Sequence, residues 1–193
     1  NCGDAAKVES MISALEDNSF EGGNENLIPN TASYNKLIEA LAKSDEKDAP
    51  EKAEATLRKM QSLRERGDVD VEPNILSFNL VLACHARDGN THHAEAIVNH
   101  IEKLHVHTGF EHIRPNKETY NVLIDAWVKS GDASGADNAQ SILVKMKELR
   151  NQGYNSAAPD LETYSSIVNA YKNSKKDLPS YLTNEFEMLK NGE

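Results

Sequence analysis

Seven histidines fall between positions 85 and 112 of this 193-residue chain and nowhere else. Crowded imidazoles invite a metal reading, because neutral histidine is the commonest metal ligand. The spacing argues against it. His93, His100 and His107 are seven apart, so on one helix they share a face but stand about two turns from each other. A single ion does not bridge that distance on a straight helix, and helical zinc motifs use closer spacing. His105 and His112 do not change this, so a solvated, pH-sensitive surface is expected. Cys2 and Cys84 are too few and too far apart for a disulfide framework or a cysteine zinc site. A Gly-rich phosphate loop, a nucleophile elbow and HExxH are all missing from the sequence. The abundant acids recur at helical spacing, where solvation explains them. No catalytic residue, metal or cofactor is expected, and an enzyme would need a catalytic domain outside this chain.

What does recur is a whole segment. It reads IPNTASYNKLIEALAKS from Ile28, EPNILSFNLVLACHARDG from Glu72, RPNKETYNVLIDAWVKSG from Arg114 and APDLETYSSIVNAYKNS from Ala158. The Pro-Asn/Asp pairs at 29–30, 73–74, 115–116 and 159–160 are 44, 42 and 44 residues apart. A fixed period of this length is the mark of a repeat array. Each Asn or Asp is placed to cap a helix by accepting from free N–H groups of the first turn. An aromatic follows four residues on: Tyr34, Phe78, Tyr120 and Tyr164. Apolar residues then fall three, four and seven further along, as Leu37, Ile38 and Leu41, as Leu123, Ile124 and Trp127, and as Ile167, Val168 and Tyr171. That is one stripe of an α-helix. The second segment gives Val81 and Leu82 but breaks at His85. Six residues past each aromatic stands a small residue, Ala40, Cys84, Ala126 or Ala170. This row lets neighbouring helices approach, and Cys84 is expected in the core.

A second helix follows in each unit, with Ala53 and Met60, Ala94 and Ile101, and Ala139 and Met146 each seven apart. Gly67, Gly109 and Gly153 stand where left-handed C-caps are expected. Residues 5–17 fit the second helix of a truncated unit. No strand pattern is present. A helix pair this small cannot bury its stripe alone, so the pairs must stack. The expected fold is all-α, a right-handed α-solenoid of helix pairs. Its divisions are 1–29 (a truncated repeat plus linker), 30–73, 74–115, 116–159 and a partial unit over 160–193.

Composition agrees with an open array more than with one large core: hydrophobic residues are 38 % and aromatics 6 %. No run approaches the ~20 apolar residues of a membrane span, so no membrane association is expected. The net charge of −10 comes from 31 acids and 21 bases, which disfavours a polyanion in bulk without excluding one, since charge segregates between faces. Half of the excess lies in residues 1–29, with six acids and one lysine. The chain starts at Asn1 and reads as part of a longer protein, so the lack of a targeting segment carries no message about compartment.

The run Pro-Asn-x-x-x-Tyr-Asn-x-Leu-Ile, then Lys, then Ala-x-x-x-Leu-x-x-Met, resembles the pentatricopeptide repeat family. The resemblance covers residues 28 to about 189; the Trp-Leu-Gly-Tyr pattern of tetratricopeptide repeats is absent. It implies binding of single-stranded RNA in mitochondria or plastids, with one base read per repeat. Family repeats run to about 35 residues, near those of related helix-pair arrays, whereas these are 42–44. The added residues lie around each terminal Gly, away from the expected reading face.

Carried over position by position, the resemblance makes Asn35, Asn79, Asn121 and Ser165 base-reading residues. Asn74, Asn116 and Asp160 become second readers for the units before them. Amides offer a donor and an acceptor and carboxylates accept, so each type can match a base edge. Capping is the plainer role for the residues after Pro, and the two roles are compatible. Ala32 and Leu76 fall where the family packs an aliphatic side chain on the base; Glu118 and Glu162 hold that place in the last two units and would repel RNA. Lys43, Arg87 and Lys129, nine residues past their aromatics, match the family's phosphate position. Favourable placement at a helix C-terminus explains each alone, but not their recurrence. The first helices, taken as 31–43, 75–87, 117–129 and 161–173, hold six bases and four acids, the least acidic part of the chain. The expected partner is single-stranded RNA, and the alternative is a protein bound by a solenoid without RNA.

Overall fold

The computed structural model describes residues 2–20, 29–87 and 89–191. Among these residues there is no strand. The helices are α1 (Cys2–Phe20), α2 (Thr31–Ala42), α3 (Ala49–Glu65), α4 (Ile75–Ala86), α5 (Thr91–Thr108), α6 (Lys117–Ser130), α7 (Gly135–Asn151), α8 (Leu161–Asn173) and α9 (Ser180–Asn191). Single 3-10 turns cover Glu111–Ile113 and Asn155–Ala157. Most of the linker expected before Pro29, residues 21–28, lies outside the described residues. Contacts divide the chain into two units, one up to Cys84 and one from His85, with the division inside α4. No helix among the described residues is long and apolar enough to cross a membrane.

The Pro-Asn/Asp pairs start the helices. Asn30, Asn116 and Asp160 have extended backbone and accept the N–H of Ser33, Thr119 and Thr163, each at 3.1 Å. The hydroxyls of those residues accept the cap's own N–H in return. Asn74 and Ser77 make the same pair of bonds, at 3.2 and 3.1 Å, at the start of α4. Four successive first helices thus begin in capping boxes, each cap worth about 1 kcal/mol.

In the first unit α2 packs against α1 and α3, burying Tyr34, Leu37, Ile38 and Leu41. In the second unit α6 packs against α5, α7 and α8, and α8 against α7 and α9. In the second unit α6 therefore lies against the second helix before it, its own second helix and the next first helix. That is the contact pattern of stacked helix pairs. The seven-apart residues of the second helices, Ala53 and Met60, Ala94 and Ile101, Ala139 and Met146, are all fully buried. Cys84, Ala126 and Ala170 are buried in the small-residue row, and Ala40 is half-buried. His85, the break in the stripe, is buried and its ring stacks on His93 at 5.0 Å. His93, His100 and His107 are exposed, and no cluster among the described residues has the makings of a metal site.

Two features fix the first helices further. Tyr34 donates to Glu16 at 2.6 Å, Tyr120 to Glu102 at 3.0 Å and Tyr164 to Glu185 at 2.9 Å. Each glutamate is ion-paired with a lysine that also lies near the same tyrosine ring, Lys59, Lys145 and Lys147 respectively. Burial, then the carboxylate, pushes all three phenols well above their ordinary range. The added residues after Gly67, Gly109 and Gly153 also have a structural use. They carry Val71, Ile113 and Ala157, each four past the Gly and each buried. The extra length therefore plugs the end of each helix pair with one apolar side chain.

Candidate nucleic-acid interface

The capping boxes hold the first turn of each first helix, and the proposed first readers Asn35, Asn79, Asn121 and Ser165 follow directly on that turn. Asn35, Asn79 and Asn121 are 7, 8 and 9 % exposed, so little of each residue reaches solvent. Asn35 Oδ1 accepts a hydrogen bond from Ser77 Oγ at 2.7 Å. Asn121 Oδ1 accepts one from Thr163 Oγ1, also at 2.7 Å. These bonds run between repeats, 42 residues apart in sequence. Ser165 differs: it is half-buried and its hydroxyl donates to Leu161 O at 2.8 Å, on its own helix.

The second readers are caps first. Asn74, Asn116 and Asp160 each spend one side-chain oxygen on the helix they open. The amide of Asn116 also donates to Glu118 at 2.9 Å. The other oxygen of Asp160 accepts from Lys117 at 2.8 Å. Burial raises the Asp160 carboxyl, but the bonds from Lys117 and the Thr163 N–H outweigh it and hold the group below its usual range. Asp160 is therefore an ionised acceptor, and it in turn raises Lys117.

The packing column lies outward beside these amides. Ala32, Leu76, Glu118 and Glu162 are all exposed, with Leu76 at 52 %. A large aliphatic side chain left that open offers a surface to a flat apolar partner. The same place carries two carboxylates in the last two repeats.

A family profile described as the pentatricopeptide repeat domain matches residues 61–130 and 111–174. The chain belongs to the pentatricopeptide repeat family. A pentatricopeptide repeat-containing protein of Arabidopsis thaliana is 26 % identical over 169 residues, covering 88 % of this chain and 25 % of that protein. The chain thus spans about a quarter of the length of that relative. Membership supports an RNA-related function in general terms.

In this pentatricopeptide repeat chain the three proposed phosphate residues are not equivalent. Lys43 is exposed but donates to Glu39 at 2.6 Å, and Lys36 holds the other oxygen of Glu39 at 2.7 Å. The two ammonium groups, Lys36 first, draw the Glu39 carboxyl down to about 2. Lys129 is exposed and has no ion pair among the described residues. Arg87 is half-buried. Two residues on, Gly89 has φ +71 and lies against the backbone of Lys129 and Ser130; a Cβ there would come within 3.0 Å of Ser130 N and Cα. That contact fixes the chain just after Arg87 beside the end of α6.

The expectations from sequence do not include the hydroxyl column Ser33, Ser77, Thr119 and Thr163. Its signal is present: a Ser or Thr recurs in phase three residues after every cap. Lys117 is missed as well, and nothing local marks it, because its partner Asp160 is 43 residues away.

Proposed function

We propose that the chain binds single-stranded RNA with base selectivity, one base per repeat, over repeats 30–73, 74–115, 116–159 and 160–193. It acts by binding, protecting or remodelling RNA in organellar processing, stability or translation, without chemistry of its own. The compartment, mitochondrion or plastid, rests on the family alone. The observation that carries the reading is the pairing of two buried Asn with the cap of the next repeat: Asn35 is joined to Asn74 by Ser77 and Asn121 to Asp160 by Thr163. Polar groups held this rigidly beside an exposed packing position suit recognition of unstacked bases.

Asn35 with Asn74, and Asn79 with Asn116, favour pyrimidines; Asn121 with Asp160 favours U; Ser165 leans to purine. Read 5′ to 3′ with the repeats, the preferred strand is pyrimidine–pyrimidine–U–purine. Lys43, Arg87 and Lys129 contact phosphates, with Lys43 doing so in competition with Glu39. A protein-interaction scaffold is the second reading, and one observation favours it: exposed Glu118, tied to the amide of Asn116, sets a carboxylate where a base would pack. The test is selection from randomised single strands at low and moderate salt, with Asn79→Thr in parallel. Enrichment of the stated pattern is expected, with the second base moving towards purine in Asn79→Thr. Retention of no strand at low salt would remove RNA and leave the scaffold.

A further inference from the structure

An asparagine amide has two ends, and a base meets only one of them. Ser77 and Thr163 are fully buried, and each makes the same three contacts. Ser77 Oγ accepts the N–H of Asn74 at 3.1 Å and lies 2.7 Å from Asn35 Oδ1 and 3.3 Å from Asn74 Oδ1. Thr163 Oγ1 accepts the N–H of Asp160 at 3.2 Å and lies 2.7 Å from Asn121 Oδ1 and 3.2 Å from Asp160 Oδ1. A hydroxyl has one proton to give. The 2.7 Å contacts fall at the usual O–H···O length and the longer ones beyond it, so the proton goes to the asparagine of the preceding repeat. The Nδ2 atoms of Asn35 and Asn121 make no hydrogen bond among the described residues. Neither is among the buried polar atoms without a partner. The solvent edge of each amide is therefore its NH2 group.

We infer that Ser77 and Thr163 are specificity-determining positioning residues, each turning the amide of the preceding repeat's reader so that it meets RNA as a donor only. This rests on the RNA-binding reading above and deepens it. The two pairs then present different patterns. In Asn74 the cap bond occupies Oδ1 and leaves Nδ2, so Asn35 and Asn74 offer two donors. Two donors match the adjacent N3 and O2 acceptors of cytosine. Asn121 offers a donor beside the ionised Asp160, whose carboxylate keeps acceptor capacity after its bonds to Thr163 and Lys117. A donor beside an acceptor matches uracil, where a carbonyl adjoins N3–H. Without the hydroxyl the amide turns over freely, and a donor site becomes one that accepts as well.

The experiment compares the parent chain with Thr163→Val, which keeps the shape and removes the hydroxyl, and with Thr163→Ser, which keeps the hydroxyl. Asp160 still caps α8 through the Thr163 N–H in both, and Ser77→Ala repeats the test in the other unit. Affinities are measured for short RNAs differing only at the third base. The expected result is loss of the U-over-C preference in Thr163→Val, on the order of tenfold for an oriented base contact, with other positions unchanged and Thr163→Ser like the parent. A structural role alone would weaken all four strands together. NMR order parameters of the Asn121 side-chain NH2, measured without RNA, supply a second readout and should fall in Thr163→Val only. A parent that binds no RNA would remove the functional reading while the order parameters still decide the orientation. Unchanged base preference and an unchanged order parameter in Thr163→Val would overturn the inference.

Discussion

Neutralising Glu39 should strengthen RNA binding, although Glu39 touches no base in the proposed reading. Each lysine that meets a phosphate of a single strand releases counterions and adds about 0.7 to the slope of log affinity against log salt. Three contacts from Lys43, Arg87 and Lys129 would give a slope of about 2, or roughly 20-fold weaker binding on going from about 50 to 200 mM salt. Lys43 does not contribute fully, because Glu39 at 2.6 Å already serves as its counterion, and Glu39 holds Lys36 as well. Replacing a carboxylate by a phosphate oxygen releases no salt ion. Lys129→Gln should therefore flatten the slope by about 0.7, and Lys43→Gln by much less. Glu39→Gln frees two ammonium groups and should steepen the slope and raise affinity at low salt. Acidification to pH 4 does not imitate it, since the Glu39 carboxyl is drawn down to about 2. Fluorescence anisotropy with a short labelled strand across a salt series measures all three variants. Equal flattening by Lys43→Gln and Lys129→Gln, or weaker binding by Glu39→Gln, refutes the reasoning.

Two further outcomes concern the frame. Gly89→Ala combines a φ of +71 with backbone atoms of Ser130 and Lys129 at 3.0 to 3.2 Å, and should destabilise by about 2 kcal/mol or more. Gly109→Ala shares the positive φ but opens onto free space and should cost about 1 kcal/mol; equal losses in denaturant titrations would show that the close approach at Gly89 is unimportant. Stability should also fall in alkali. The folded phenols of Tyr34, Tyr120 and Tyr164 lie above their unfolded value, so their contribution is complete below about pH 10 and is lost as pH rises beyond it. Tyr120→Phe should make that decline shallower in melts from pH 8 to about 11, and an identical decline would exclude the buried phenols as its cause.

The helices were legible because their signals are local and repeated. A cap, an aromatic four residues on and apolar residues at helical spacing lie within one segment, and four copies in phase make the pattern firm. The starts of α2, α4, α6 and α8 follow from Pro-Asn/Asp alone. The Tyr34–Glu16 and Tyr120–Glu102 bonds were not legible, since each joins residues 18 apart on different helices. The order is not constant either: Tyr164 takes its glutamate from α9, which follows it, and its lysine from α7, which precedes it. Length was legible as a departure from about 35 residues, but not its use, because Val71, Ile113 and Ala157 share little except apolar character. The candidate site was legible as a set of columns. What sequence left open was the state of each member. Lys43 and Lys129 look alike in a repeat alignment, each with an acid four residues before it, Glu39 and Asp125, and only the fold shows that Glu39 pairs with Lys43 while Asp125 accepts from Ser166.

The same distinction bears on the net charge of −10. Glu16, Glu102 and Glu185 lie on second helices, and each is held 2.5 to 2.6 Å from a lysine. A pair that tight is close to neutral when seen from a Debye length away, about 10 Å at 0.1 M salt. Charge of this kind stabilises the stack and contributes little to the field that an approaching strand meets. The field at the proposed reading face comes from the first helices, with six bases and four acids. Of those acids Glu39 is shared by two lysines, while Glu118 and Glu162 stand exposed in the packing column. The second pair sets the balance. Repeats one and two present Ala32 and Leu76 without a carboxylate at that place, and repeats three and four do not. Charge is therefore graded along the sequence: the first helices of repeats one and two carry +1 each, whereas those of repeats three and four balance Lys117, Lys129 and Lys172 against their own acids.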